Sequence, residues 1–251
     1  MVTGAGQGIG AAIARALVAQ GATVSLLGRR RVELNDLASK IKVDVAGATV
    51  NVVVADVSDA TAVEAAFTSS RAKFGPVHLL VNNAGQAASA PFGKITLVQW
   101  QQMLSVNLTG TFLCTQAVLP DMLAEGWGRV VNIASTAGLR GYAYVAAYAA
   151  SKHGVVGLTR SLALEVAAKG ITVNAVCPGY TETEILQSSI RHVAAKTGRS
   201  QADARAEFTK SNPQGRIVQP QEVAAAVLWL CSAGAAAITG QAISVSGGEV
   251  M

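Results

Sequence analysis

Aromatic residues make up only 5% of this chain and charged residues 14%, and there are three cysteines, three histidines and six prolines in 251 residues. Each scarcity removes a class of protein. Cys114, Cys177 and Cys231 stand far apart in apolar surroundings, which excludes a disulfide scaffold and the close ligand spacing of a zinc site. They read as reduced core thiols of a cytoplasmic protein. His78, His153 and His192 form no ligand pattern and no metal is expected; His153 reads as a packing residue. No basic run is longer than Arg29 to Arg31, so the net charge of +5 lacks the stripe that a nucleic-acid surface needs. A signal peptide is not expected, because a glycine-rich stretch occupies the place of its apolar region. The longest uncharged stretch, Val223 to Val245, is broken by Gly234, Thr239, Gly240 and Gln241 and reads as helix, turn and strand rather than a membrane span.

What the chain does have is apolar residues, 51% of the total, enough for a sizeable core and too many for a disordered chain. Val-, Ile- and Leu-rich runs at 22–27, 48–55, 77–81, 128–134, 171–176 and 241–245 predict strands covered on both faces. Helical patterns lie between them, at 9–20, 31–43, 59–73, 96–124, 147–169, 182–210 and 220–232. The alternation predicts one α/β domain over 1–251, a doubly wound parallel sheet of about seven strands with helices on both faces. Asp59 and Thr61 suit a helix start, Gly75-Pro76 a stop, and Pro220 with Glu222 another start. The polar stretch 180–217 reads as an excursion above the sheet, where ligands are covered.

"TGAGQGIG", residues 3–10, would open the first helix. Glycines there let a pyrophosphate approach the free N–H groups and positive dipole end of the helix. A glycine cluster alone fits a plain turn equally well. In a Rossmann unit the second strand ends at the adenosine ribose, and here it ends in Gly28-Arg29-Arg30 with no acid. Guanidinium groups in that place pair with a 2′-phosphate, which favours NADP(H) over NAD(H), although the same arginines could simply solvate a helix start. Asp56, followed by Val57 in "ADVSD", stands where it could receive the adenine amino group.

Tyr148 and Lys152 in "YAASK" are four apart and share a helix face. A nearby ammonium favours the phenolate and draws a tyrosine pKa down from about 10. Ser135, closing the "VVNIAS" strand, would hydrogen-bond a substrate oxygen, and Lys152 could also hold a ribose.

"TGAGQGIG", "NNAG" (82–85), Asn107, Ser135, "YAASK" and "PGYTET" (178–183) together resemble the motif series of the short-chain dehydrogenase/reductase family, along nearly the whole chain. The resemblance implies a Rossmann fold and a catalytic tetrad of Asn107, Ser135, Tyr148 and Lys152. Tyr148 would be the general acid/base, and Asn107 would hold a water linking Lys152 to solvent. It implies cofactor contacts from Gly4, Gly6, Gln7, Gly8, Ile9 and Gly10, from Asn83, Ala84 and Gly85, and from Pro178, Gly179, Thr181 and Thr183. A cytoplasmic homotetramer is the family's usual assembly. The substrate pocket would draw on Ser135, Tyr148, Arg140 and Tyr144, with Gln86, Ala87 and Tyr142 close by. Lid residues Arg191, His192, Lys196, Arg199, Arg205 and Lys210 suggest a coenzyme A thioester, as in 3-oxoacyl reductases or 3-hydroxyacyl dehydrogenases. A small neutral ketone or alcohol under a solvated lid is the alternative, and a catalytically silent cofactor-binding scaffold a remote third.

Only Met1 and Val2 precede the loop, where relatives carry a central strand. Either the given start falls late in that strand, or the first strand is a stub whose neighbours lose ladder bonds.

Overall fold

The apolar runs become seven parallel strands in the order β3-β2-β1-β4-β5-β6-β7. They are β1 (Val2–Thr3), β2 (Val24–Gly28), β3 (Val50–Val54), β4 (Leu79–Asn82), β5 (Gly128–Ile133), β6 (Ile171–Pro178) and β7 (Ala242–Val245). The computed structural model describes all of residues 1–251. Every residue of β5 and β6 is buried, because helices cover both faces of the middle of the sheet, and this explains their near-continuous apolar sequences. The doubly wound single sheet is as expected.

Nine α-helices alternate with the strands. They are α1 (Gly8–Ala19), α2 (Arg31–Asp44), α3 (Ala60–Phe74), α4 (Leu97–Leu104), α5 (Gly110–Glu125), α6 (Ala146–Val166), α7 (Glu184–Thr197), α8 (Gln201–Thr209) and α9 (Pro220–Cys231). One face of the sheet packs Val2, Leu26, Val81 and Val131 against Ile13 and Leu17 of α1 and Val223 and Val227 of α9. The other packs Leu80, Val130 and Val173 against Phe67 of α3 and Cys114, Val118 and Met122 of α5.

The start and stop signals act as anticipated. The Asp59 carboxylate accepts from the Thr61 and Ala62 N–H groups, Gly75 closes α3 at φ 75°, and Gln219 with Glu222 forms a reciprocal cap on α9. Two helices differ from expectation. The 96–124 pattern is split by a π-helical turn at Ser105–Thr109, and the 182–210 pattern by Gly198 at φ 69° and the new cap Ser200. Short as it is, β1 sits at the sheet's centre, with Thr3 paired to Leu27 and Val2 to both Leu26 and Val81. The chain reverses direction of winding beside it, between β1 and β4, and the crevice at the carboxyl ends of these strands is where such sheets bind ligands.

Candidate active site

The glycine loop leaves β1 and turns directly into α1. The N-cap Gln7 makes no side-chain bond to the helix and the first turn carries no acid, so the helix N-terminus is open to an anion. The loop is clamped from β4: Thr3 Oγ1 accepts from the Asn83 and Ala84 N–H groups at 3.0 and 2.9 Å, and Asn83 Nδ2 donates to Thr3 O and Gly4 O. The clamp leaves no room for side chains. A Cβ at Gly10 would meet Gly4 O at 2.3 Å, and one at Gly4, which also has φ 60°, would meet the Ala84 Cα at 2.8 Å. Thr183, which caps α7, reaches over the loop, its methyl 3.1 Å from where a Gly8 Cβ would be. Pro178, Gly179 and Thr181 lead to it from β6, with Thr181 Oγ1 donating to Gly179 O at 3.0 Å.

At the end of β2, Arg29 and Arg30 are exposed. Arg29 Nη1 lies 3.5 Å from Asp56 Oδ2, and Arg30 pairs with Glu33. Burial pushes the Asp56 carboxyl up, but two hydrogen bonds from Ser58 and the Arg29 charge outweigh it and hold the group below its usual range. Asp56 is therefore a fixed carboxylate beside the arginines. Val57 is buried against Gly110 at the start of α5.

The tetrad residues converge from three elements. Asn107, in the π-helical turn, is buried, with Oδ1 accepting from Gln86 N at 2.9 Å and Nδ2 donating to Gln86 O and to Ser151 Oγ. Lys152, on α6, donates to Ile133 O at 2.7 Å. Asn107 Oδ1 and Lys152 Nζ flank Gly85, 3.2 and 3.6 Å from where its Cβ would be. Ser135 follows β5, and its Oγ accepts from Ala137 N. Tyr148 lies on the same helix as Lys152, whose ammonium is 5.8 Å from its ring centre.

The electrostatics differ from the simple expectation. Burial raises the Tyr148 pKa and outweighs the pull of the Ser135 hydroxyl, and Cys177 and Tyr142 push it further up. Burial also brings Lys152 down to about 8. The ammonium neighbour thus does not overcome the cost of placing a phenolate in this crevice, and Tyr148 is a neutral acid at neutral pH.

Of the substrate-side expectations, Arg140 is engaged elsewhere. Its Nη2 donates to Glu249 Oε1 at 3.1 Å, and Tyr142 donates to the same oxygen at 2.8 Å. Tyr144 is 67% exposed at φ 68°, with its carbonyl accepting from Ala90 N. Four of the six lid cations are tied to lid carboxylates: Arg191 to Glu184, Arg205 to Glu182, and Arg199 and Lys210 both to Glu207. His153 is exposed rather than packed, since its helix turns it away from the Lys152 face. Glu249, Glu182 and the Tyr180–Phe208 edge-to-face pair at 4.9 Å escaped the sequence reading. Glu249 had one available signal: it is the only charged residue after Glu222.

A family model described as short chain dehydrogenase matches residues 1–194. The chain is 36% identical over 252 residues to the 3-oxoacyl-acyl-carrier-protein reductase of Aquifex aeolicus, covering 99% of this chain and 95% of that one. It is 37% identical over 253 residues to the D-beta-hydroxybutyrate dehydrogenase of Cupriavidus necator, covering 100% and 96%. Among solved structures, a variant actinorhodin polyketide ketoreductase crystallised with NADPH superposes with a TM-score of 0.95 at 42% identity, over 99% of this chain and 95% of that one. The glycine clamp and the Ser135–Tyr148–Lys152 crevice thus occur in a chain that matches ketone reductases along its whole length, which makes it a member of the short-chain dehydrogenase/reductase family, an oxidoreductase interconverting ketones and alcohols.

Proposed function

We propose that the chain is an NADP(H)-preferring reductase of 3-oxoacyl compounds, with Tyr148 as proton donor. The observation that carries this reading is the convergence of Ser135, Tyr148 and Lys152 in one crevice beside the glycine clamp, where a phenol can give a carbonyl oxygen its proton; the upward direction of the Tyr148 pKa agrees with an acid role. The α1 N-terminus and the space left by Gly4 and Gly10 fit a dinucleotide, with Asn83, Ala84, Gly85, Pro178, Gly179, Thr181 and Thr183 along it. Bound there, the nicotinamide supplies the hydride. Ser135 orients the ketone oxygen, Tyr148 protonates it, and Lys152 supplies positive charge below the phenol and binds ribose. Asn107, pinned to the Gln86 backbone, would hold a water that links Lys152 to solvent. Arg29 and Arg30 favour the 2′-phosphate, with Arg29 beside Asp56 and Arg30 beside Glu33.

The internally paired lid gives a coenzyme A phosphate fewer free cations than the sequence suggests, which favours a 3-oxoacyl compound recognised without its coenzyme A phosphates. Exposed Phe112, Leu164 and Trp229 on α5, α6 and α9 support assembly into the expected homotetramer. No helix is long and apolar enough to cross a membrane, and the three free thiols suit the reducing cytoplasm.

The test is initial-rate reduction of ethyl acetoacetate and acetoacetyl-CoA with NADPH and with NADH across pH. Reduction with NADPH is expected near neutrality. Alcohol oxidation needs the phenolate, so its rate should climb with pH, because the raised pKa keeps that form scarce at neutral pH. Oxidation that is already maximal at pH 7, or NADH preferred over NADPH, would contradict the reading.

A further inference from the structure

We propose that Glu249 selects substrates by charge: it occupies the guanidinium of Arg140 and so directs the site to 3-oxo compounds whose carboxyl is esterified, rather than to free 3-oxo acids. The inference rests on the ketone-reductase reading and names which ketones that site takes.

Arg140 lies in the loop that runs from Ser135 to Tyr148, the stretch between the two residues that meet the ketone oxygen. A free guanidinium there would pair bidentately with the carboxylate of a short 3-oxo acid. In this chain Glu249 already engages both terminal nitrogens of the guanidinium. The Glu249 side chain is only 1% exposed, Arg140 Nη2 and Tyr142 Oη both donate to its Oε1, and Arg140 Nη1 lies 3.4 Å from the Glu249 carbonyl oxygen. The guanidinium also stacks on the Tyr142 ring at 4.6 Å, which fixes its plane.

The carboxylate is held by more than this pair. Its second oxygen rests on Gly179, 2.9 Å from where a Cβ would be. The C-terminal turn that carries it is anchored by Ser246, whose Oγ accepts from Val250 N at 3.3 Å. Gly247, at φ 64°, is wedged against Asn212, where a Cβ would meet the amide oxygen at 2.2 Å. A buried, anchored carboxylate both competes intramolecularly for Arg140 and repels a second carboxylate, which is discrimination through a repulsive element. The two relatives bracket the choice, one being a reductase of 3-oxoacyl groups on an acyl carrier protein and the other a dehydrogenase of hydroxybutyrate.

Glu249→Gln keeps the shape and the acceptor oxygen while removing the charge. With NADPH-loaded protein, kcat/KM is measured for ethyl acetoacetate and for acetoacetate, and acetoacetate affinity for the NADP+-loaded protein is measured by calorimetry. The wild-type protein should prefer the ester. In Glu249→Gln the ester-to-acid ratio should fall about tenfold through a lower KM for acetoacetate, with calorimetric affinity for acetoacetate rising by about the same factor. Adding Arg140→Leu should abolish the gain. Arg140→Leu alone, which leaves the carboxylate unpaired, should move the ratio the other way and serves if Glu249→Gln does not fold. A merely structural Glu249 would lower stability or activity without a gain on the acid. The proposal is overturned by an unchanged ratio and an unchanged acetoacetate affinity in Glu249→Gln, or by a gain that survives Arg140→Leu. Should wild-type protein reduce neither ketone, the 3-oxoacyl reading fails, while the calorimetric comparison still decides the role of Glu249.

Discussion

The floor of the cleft, from Thr3 to Lys152, and the lid formed by α7 and α8 are held by different forces. In the floor, buried amides and hydroxyls are joined one to the next: Asn82 Nδ2 donates to Thr115 Oγ1 and Asn132 Oδ1, Asn132 Nδ2 to Thr159 Oγ1, each at 2.9 Å. Removing one partner strands the others in a dry interior, which costs about 1–3 kcal/mol each. The lid instead buries a small cluster of Leu186, Ile190, Ala204 and Ile217, and its remaining order comes from partly exposed ion pairs of the kind worth about 0–1 kcal/mol. Hydride transfer tolerates little misplacement, whereas a segment held by exposed ion pairs can adapt. Substitutions in the two regions should therefore differ in both size and kind.

The largest effect is expected at Tyr148. Tyr148→Phe removes the proton donor but fills the same space, so kcat should drop on the order of 10²–10⁴-fold while NADPH affinity and melting temperature stay close to wild type. Rapid-kinetic turnover beside a fluorescence titration of NADPH separates the two quantities. Retained turnover would place the acid elsewhere. Gly10→Ala should act in the opposite way. Its Cβ would land 2.3 Å from Gly4 O, against backbone that the Asn83 clamp holds fixed, so the loop must shift. NADPH affinity should fall about 100-fold, corresponding to about 3 kcal/mol, and a loop that absorbed the methyl without loss would show the floor to be softer than argued.

The same division governs what could be read from the chain alone. "TGAGQGIG" and "YAASK" were legible because the contacts that matter there are local: the loop enters its own helix, and Tyr148 and Lys152 share a face by spacing. The sheet was legible because strands buried on both faces carry a continuous apolar signature. Glu249 was not, since its partners Arg140 and Tyr142 lie more than a hundred residues earlier and meet it only through the fold. The π-helical turn around Asn107 was missed for a related reason, since it interrupts an otherwise continuous helical pattern. The lid's split was missed although its signals are local: Gly198 takes the left-handed conformation at the end of α7 and Ser200 caps α8. The raised Tyr148 pKa was also beyond the sequence, because spacing supplies the nearby lysine but not the burial that outweighs it.

A smaller effect is expected where the floor meets solvent. Arg29 is exposed, so a 2′-phosphate bonded to it remains partly screened. Arg29→Ala should lower the NADPH-to-NADH ratio of kcat/KM about tenfold, mostly through KM for NADPH, with KM for the ketone unchanged. A ratio that did not move would assign phosphate recognition to Arg30 or to the helix N-terminus alone.

The smallest effect is expected in the lid, at Arg205. Its guanidinium bonds both oxygens of Glu182, and that contact, ahead of the opposing effect of burial, holds the Glu182 carboxyl below its usual range. A depressed carboxyl pKa adds stability above its unfolded value and loses it as pH falls through the folded one, so whatever the pair contributes is present at pH 7. Yet both side chains are partly exposed, at 40% and 28%, and solvent screens the charges. Arg205→Ala should thus lower melting temperature at pH 7 by no more than about 2 °C, with the difference shrinking in acid as Glu182 protonates in both forms. The ketone KM should rise more than this small loss of stability suggests, because Glu182 stands between Thr181 and Thr183 and its N–H bonds Val218 O, tying the start of the lid to Thr183, which reaches over the glycine loop. A large fall in melting temperature with KM unchanged would mean that the lid is part of the rigid floor, and the contrast between the two regions would be lost.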